Sequence, residues 1–375
     1  MTAQVAKMQR WNRVCGLKVM LVAVPLLVAG CSRCGRDANW HAGCGASAAP
    51  SSHDGPSGVP SRKSAEAPAS HGSSSNAVEA AKQSLVRFEA GKPYASQLSW
   101  PLRAPVPVEL TVGTRADPAA VKVLEGKLSQ ASAEVRSSIV TLLVDLGIST
   151  DPSAPLACEA IRDPNIIGAL ARGGLARDDH AREEASIALR KYCTQSDLAQ
   201  FGTPIAGALE RAPAYDVFLL VAKAKPPEAR TVVTRLLHTE EWKDEGAKIA
   251  AAALGDQKLE GEFLRQASTA ANGKALAEAL KNLSLVGTKR CLEAVAGYLR
   301  TPMTIEVPHA FKKSVRLDVL DALVYHFPYE PVLNSNLIND DSGYAAAERF
   351  CTRTFGVTYT TPRPPFLTYE GAPSF

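Results

Sequence analysis

Apolar and polar residues follow a helical spacing through most of the C-terminal two thirds of the chain. From about residue 117, apolar side chains recur every three or four positions with polar side chains between them, which predicts a succession of helices that each bury one face. The first of these is predicted to start after Asp117, with Pro118 at its first position. A shorter helix is predicted over residues 76–90, with Asn76 as its N-cap and Gly91 ending it.

Other segments lack this spacing. Residues 31–76 are rich in Ser, Gly, Ala and Pro, and they cannot bury enough apolar surface to offset the entropy lost on ordering, so we predict a flexible tether. Residues 77–116 combine the short helix with a Pro-rich extended segment, in which residues 106–112 predict one short strand or packing arm. The Pro-rich tail, residues 357–375, has two interpretations: a cap on the last helices or an extended docking peptide.

One helical pattern occurs several times. An apolar residue precedes an Arg, another follows three positions later, and an apolar pair stands six and seven positions after the Arg, at Arg136, Arg182 and Arg316. A copy without the Arg covers residues 246–254, and a weaker one covers residues 276–283. One apolar helix face with a basic residue near its start predicts a repeated structural unit.

These copies resemble the second helix of HEAT repeats, and the resemblance covers residues 117–356. It implies an all-α fold, a HEAT-like α-solenoid of antiparallel helix pairs, which follows the tether that the composition predicts. It also implies a structural role for Arg136, Arg182 and Arg316, because the Arg at this position of the family bonds to acidic or carbonyl groups of its neighbours. The other interpretation is a helical domain without repeats.

The N-terminal residues have the pattern of an export signal. Basic residues precede a short apolar run, which ends in Leu27-Val28-Ala29-Gly30-Cys31. This run resembles the lipobox of bacterial lipoproteins. The resemblance implies removal of residues 1–30 and covalent lipid, palmitate included, on Cys31, and Ser32 implies sorting to the outer membrane. The alternative is an uncleaved transmembrane helix, for which the run is short because a span needs about 20 residues.

Net charge gives no support for a nucleic-acid partner. The whole chain has a formal charge of +4, but residues 1–30 contain four basic residues and no acidic residue, so the rest of the chain is neutral. A neutral chain gives no electrostatic argument for nucleic-acid binding. Membrane binding is then left to the lipid, whose acyl chains each contribute about 0.8 kcal/mol per buried CH₂.

A cluster of Cys and His residues follows the lipobox. Taken alone, Cys31, Cys34, His41 and Cys44 suit a zinc site. Lipid on Cys31 removes one ligand, because a thioether is not a thiolate. A disulfide between Cys34 and Cys44 is then the simpler outcome outside the cytoplasm, with free thiols and a metal site as alternatives. We predict no metal, and no cofactor apart from the covalent lipid.

The remaining chemistry-bearing residues form no familiar catalytic motif. The sequence has no G-x-S-x-G, phosphate-binding loop, dinucleotide fingerprint or H-E-x-x-H. His326 follows an apolar helix face and is interpreted as a core or cap residue. The pairs Asp178-Asp179 and Asp340-Asp341 each precede a predicted helix and are interpreted as N-caps, with paired catalytic carboxylates as the alternative. Cys158 and Cys193 either face each other across neighbouring units or are buried thiols.

These observations favour an envelope lipoprotein, anchored by its lipid, that presents a helical-repeat surface for protein–protein interaction and is not an enzyme. The predicted location is the outer membrane, facing the periplasm or the cell surface. The alternative is a periplasmic enzyme or maturation factor with a non-motif site on the same fold.

Overall fold

The computed structural model describes most of the chain after residue 70. The chain divides into Met1–Glu66 and Ala67–Phe375, and every described residue belongs to the second unit. The lipobox with Cys31, and also Cys34, Cys44 and Cys158, lie outside the described residues. The described ranges are 71–94, 107–112, 115–148, 160–239, 244–307, 311–333, 341–364 and 369–370.

The described part of the chain is mostly helical. None of its helices is both long enough and apolar enough to cross a bilayer. The helices are α1 His71–Glu89, α2 Pro118–Leu128, α3 Ala133–Ile148, α4 Pro164–Ala169, α5 His180–Tyr192, α6 Gln195–Leu198, α7 Gly202–Arg211, α8 Tyr215–Ala224, α9 Ala229–Leu237, α10 Glu245–Ala253, α11 Gln257–Ser268, α12 Gly273–Val286, α13 Lys289–Gly297, α14 Val315–Val324 and α15 Asp341–Phe355.

Short polar side chains begin many of these helices, because the first backbone N–H groups of a helix have no partner within it. Asp117 accepts hydrogen bonds from the N–H groups of Ala119 (2.7 Å) and Ala120 (3.3 Å), with Pro118 as the first residue of α2. Asp179 caps α5 through its side chain. The predicted start of α2 and the N-cap role of Asp179 are therefore confirmed.

Helix α1 starts earlier than the sequence predicts. It begins at His71, so Asn76 lies inside the helix and the prediction of an N-cap there was wrong. Packing explains the difference, since Ala77 is buried and α1 lies against α2 and α3, which stabilises a helix beyond its intrinsic propensity. The helix ends where expected, because Gly91 adopts a left-handed φ of +74° that favours glycine.

Helices α3, α5, α8, α10, α12 and α14 pack side by side in that order, and we call them the helix row. A second set of helices packs against the row, with α2, α7, α9, α11 and α13 each touching the row helix that follows it in sequence. Before α5, the π-helical turn Leu170–Gly174 packs against the row helix in the same way. Helix α8 occupies the interval between Arg182 and residue 246, where the sequence shows no copy of the repeated pattern.

The Ala-rich sequence of α10 follows from its position. This helix contacts α8, α9, α11 and α12, and its residues from Ile249 to Ala253 are all buried. Small side chains let the neighbours approach closely. A Cβ on Gly246, at the start of α10, would lie 2.7 Å from the ring of Tyr215 in α8. The row therefore depends on small residues at this point.

Short strands interrupt the helices. Strands β1 (Thr111–Val112) and β2 (Arg115–Ala116) pair antiparallel. Only β1 lies within residues 106–112, where the sequence predicts one strand or packing arm, and Val108–Leu110 form a 3-10 turn instead. Between α13 and α14, β3 (Thr304–Val307) and β4 (Phe311–Ser314) form a hairpin that the helical patterning did not predict. Strand β5 (Tyr369–Glu370), from the tail, pairs with β4 and places Glu370 opposite Lys312.

Candidate functional site

The guanidinium group of Arg136 is buried between neighbouring helices of the row. Arg136 lies near the start of α3 and has no exposed surface. Its Nε donates to Oδ2 of Asp179, the N-cap of α5, at 2.7 Å. Its Nη groups donate to the carbonyl oxygens of Leu128, at the end of α2, and of Gly174 (3.2 Å). One side chain thus holds α2, α3 and α5 together.

Arg182 makes the corresponding contacts one helix further along the row. It lies near the start of α5 and is 8 % exposed. Its Nη1 donates to the carbonyl of Ala212 at 3.2 Å, and its Nη2 lies 3.7 Å from Oδ1 of Asp216 in α8. Burial raises the pKa of Asp216 above its ordinary value, and the charge of Arg182 acts against that shift. The contact from α5 to α8 is therefore a desolvated ion pair.

Arg316, near the start of α14, has different partners. Its Nε donates to Oγ of Ser314 at 3.0 Å, and its Nη1 donates to the carbonyl of Pro364 in the tail at 3.2 Å. Its guanidinium group also lies 5.1 Å from the ring centroid of Tyr344 in α15. Here the repeated Arg contacts the C-terminal segment of the chain.

A second set of polar side chains lies at the opposite ends of the row helices. Lys223, in the last turn of α8, has no exposed surface, and its Nζ donates to the carbonyl of Tyr325 and lies 3.9 Å from the ring centroid of the same residue. The Nε2 of His326 lies 2.5 Å from the carbonyl oxygen of Ser284 in α12. Tyr325 and His326 belong to residues 325–330, which follow α14 and which we call the crossing segment.

The crossing segment also reaches helices that are distant in sequence. The hydroxyl of Tyr329 donates to Oδ2 of Asp197 in α6, 132 residues earlier, at 2.9 Å. The guanidinium group of Arg162 lies 4.0 Å from the ring centroid of Tyr329. Nearby, Lys225 adopts a left-handed φ of 52° and donates to the carbonyl of Gly287, which follows α12. The C-terminal ends of α8, α12 and α14 are therefore tied together, and α6 is tied to them through Tyr329.

Burial shifts the titration of these groups. It lowers the pKa of Lys223 to about 7, with Cys193 and Asp197 acting in the opposite direction and Arg190 and Lys225 in the same one. Burial also lowers the pKa of His326 to about 3, and the charge of Lys223 adds to that effect. His326 is therefore neutral at pH 7, as suits a side chain bonded to a backbone carbonyl.

A lysine that titrates near pH 7 is the kind of group that enzymes use as a base or nucleophile. In this geometry the amino group of Lys223 is fully covered and already donates to a carbonyl oxygen. The carbonyl groups at a helix C-terminus have no partner within the helix, and a cation near them also interacts favourably with the helix dipole. Lys223, Lys225 and His326 supply such partners. A substrate would reach Lys223 only if the crossing segment moved.

The described cysteines are free and buried. Cys193, Cys291 and Cys351 have no disulfide partner, which agrees with the buried-thiol interpretation of Cys193. Burial raises the pKa of Cys193 to about 12 and the pKa values of Cys291 and Cys351 to about 11. All three therefore remain protonated and weakly nucleophilic at neutral pH.

A shallow groove of about 490 Å³ opens where the end of α11 meets α12 and the start of α10. Its floor includes Asn282, which is 6 % exposed and donates to Oε1 of Glu245 at 2.7 Å. Glu278 is exposed at its side. The groove is acidic and otherwise lined largely by small side chains, which suits contact with a basic group on another molecule. Its other lining residues are Gln266, Thr269, Ala270, Ala271, Ala275 and Ala279.

Among the described residues, no three His, Cys, Asp or Glu side chains are placed to hold a metal ion together. Comparison with models of known protein families, with curated proteins and with solved structures found no match to this chain.

The repeated sequence pattern identifies Arg136, Arg182 and Arg316, but no pattern identified Lys223 or Glu348 as a site residue. Lys223 had a visible signal, since it interrupts the apolar run from Val217 to Ala224, where a charged side chain needs a partner. Glu348 gave no comparable signal, because its partners are distant in sequence or lie in the Pro-rich tail. Cys31, Cys34 and Cys44 lie outside the described residues.

We predict that His326 makes the fold sensitive to acid. Its folded pKa of about 3 lies below its ordinary value of 6.5, so the unfolded chain binds a proton between these pH values and the folded chain does not. Stability contributed by neutral His326 is therefore lost as the pH falls from about 6.5 to about 3. The substitution His326→Gln keeps a side-chain donor for Ser284 but does not titrate. Urea unfolding at several pH values should give the variant a weaker loss of stability across this window, and an unchanged loss would contradict the prediction.

Proposed function

We propose that this chain is a lipid-anchored lipoprotein of the bacterial envelope, with a HEAT-like α-solenoid that binds protein partners. The observation that carries the proposal is the repeated Arg contact between row helices. Arg136 bonds to the N-cap of α5, and Arg182 pairs with Asp216 of α8. The resemblance to HEAT repeats implies acidic or carbonyl partners for an Arg at this position, and both residues have such partners.

The arrangement of the helix row supports a binding role. Each row helix contacts the next, and a second helix or turn packs against each of them. Stacked helix pairs of this kind offer long surfaces to other proteins. The groove beside Asn282, with the carboxylates of Glu245 and Glu278, is one part of that surface with room for a side chain of a partner.

In this proposal the lipid on Cys31 holds the protein at the outer membrane, facing the periplasm or the cell surface. Residues 31–70, which precede α1, act as a flexible tether. A flexible chain of this length has a typical reach of roughly 30–40 Å, which lets the helical part stand clear of the lipid headgroups. Neutral charge outside the signal peptide leaves attachment to the acyl chains.

A second candidate function, a periplasmic enzyme or maturation factor, has one observation in its favour. Lys223 has a pKa of about 7, because burial disfavours its charged form. That value suits acid–base or nucleophilic chemistry. Its bond to the Tyr325 carbonyl and its complete burial favour a structural role, so we prefer the binding function.

Crosslinking and affinity capture from the native envelope test the binding function. We expect the anchored full chain to recover a defined protein partner in near-stoichiometric amount. A matched control that carries only residues 1–70 and the same tag has the anchor and tether without the helices, and it should not recover that partner. Recovery of the same proteins by both baits, or turnover of a small molecule without any stable protein partner, would contradict the proposal.

The anchor is tested separately with Cys31→Ser. Because lipid attachment and cleavage both require the cysteine at this position of a lipobox, the variant should remain uncleaved or leave the membrane fraction. Cys34→Ser is the matched control and should fractionate like the wild-type chain. Metabolic labelling with palmitate gives a second measurement, and normal processing and membrane fractionation of Cys31→Ser would refute the lipobox.

A further inference from the structure

The tail of the chain is held by arginine side chains that bond to its backbone. Arg300, which follows α13, donates to the carbonyl oxygens of Tyr359 (3.4 Å) and Thr361. Arg316 donates to the carbonyl oxygen of Pro364 at 3.2 Å. These contacts are made to the backbone of residues 357–364, so they do not depend on the side chains there. Many peptide-binding sites hold extended segments in this way.

Two side chains of the tail make contacts that depend on their identity. The guanidinium group of Arg363 makes a two-pronged bond with the carboxylate of Glu348 in α15, with Nη2–Oε2 at 2.6 Å and Nε–Oε1 at 3.3 Å. It also lies 5.9 Å from the ring centroid of Tyr344. The hydroxyl of Tyr359 donates to the carbonyl of Ala296 in α13 at 3.0 Å. The bound segment therefore presents a Tyr and an Arg four residues apart.

Glu348 needs the arginine of the bound segment. It is 6 % exposed, and Arg300 supplies a first guanidinium group at 2.7 Å. Burial alone would raise its pKa, but the two guanidinium groups outweigh burial, and the pKa lies below its ordinary value. Removal of Arg363 leaves this buried carboxylate with one of its two charged partners, which is unfavourable.

The backbone of the tail is bound again further along. Strand β5 adds to the free edge of β4, with Tyr369 opposite Lys313. Addition of a strand to a sheet edge is a common way to bind an extended segment. Both described parts of the tail are thus held mainly through the backbone, with Tyr359 and Arg363 as the side chains that select the sequence.

We propose that Arg300, Arg316, Tyr344 and Glu348 form a binding site, the tail groove, for extended segments of partner proteins that carry Tyr and Arg four residues apart. The tail of the chain occupies the tail groove in cis, and a partner segment of the same chemistry displaces it. The source of that segment, a protein partner, rests on the proposed function. The peptide specificity rests on the contacts alone.

The covalent link gives the cis tail a strong advantage. A segment joined by a short linker has an effective concentration in the millimolar range, so a free segment at micromolar concentration competes poorly with it. A weaker cis tail removes that advantage. Arg363→Ala in the full chain does this, because it deletes the bond to Glu348 and leaves the tail groove unchanged.

The experiment measures binding of a fluorescent synthetic peptide with the sequence of residues 357–370 to full-length variants. We expect saturable binding to the Arg363→Ala chain that is at least about 10-fold tighter than to the wild-type chain. Replacing Arg363 by Ala in the peptide should weaken binding about 10-fold. Adding Glu348→Gln to the Arg363→Ala chain should weaken it similarly. Arg353→Ala is the matched control, since Arg353 is an exposed arginine of α15, and it should behave as the wild-type chain.

The proposal is overturned if the peptide shows no saturable binding to the Arg363→Ala chain up to millimolar concentration, or if it binds equally with and without Glu348→Gln. Thermal melting checks that each variant folds. If the Arg363→Ala chain does not fold, Tyr359→Phe weakens the cis tail by one hydrogen bond, and the same peptide series applies to it. A chain that captures an envelope protein but fails these peptide tests refutes the tail groove and leaves the proposed binding function standing.

Discussion

Burial of arginine side chains between neighbouring helices determines how the helix row is built. A guanidinium group away from water is costly unless its N–H groups have partners, so each one fixes the positions of the groups that it contacts. Arg136 fixes a carbonyl at the end of α2, the turn at Gly174 and the carboxylate that caps α5. Because Asp179 both starts α5 and receives Arg136, the start of one helix and its distance from the previous one depend on the same carboxylate.

Basic side chains also organise the other ends of the row helices. Lys223, Lys225 and His326 donate to, or lie against, the carbonyl groups of Tyr325, Gly287 and Ser284. The row is thus tied at the helix starts by arginines and at the helix ends by lysines and a histidine. Burial lowers the pKa values of Lys223, Lys225 and His326. Shifted pKa values of this kind are also found in catalytic groups, but the contacts of these three residues are structural. At the last unit, the arginine arrangement changes, and Arg300 and Arg316 hold the tail.

The sequence predicted the elements that depend on local patterns. Each of these patterns spans about one helix turn or one unit: the helical spacing, the caps at Asp117 and Asp179, and the recurring Arg. Other features depend on contacts between distant residues, such as Tyr329 with Asp197 or Glu348 with Arg300, and no local pattern specifies them. The β3–β4 hairpin was missed because its short strands alternate too briefly to stand out from the helical background.

A double-mutant cycle between Arg136 and Asp179 tests the central claim most directly. Arg136→Met removes the guanidinium group, and Asp179→Ser keeps an N-cap for α5 while removing the carboxylate. The free energy of unfolding of the two single variants and the double variant should give a coupling energy above about 1 kcal/mol, as for contacting buried groups. The exposed pair of Arg172 and Glu125, at 2.8 Å, serves as the control, with Arg172→Met and Glu125→Ala expected to couple by well under about 1 kcal/mol. Additive effects at Arg136 and Asp179, within about 0.3–0.5 kcal/mol, would contradict the account.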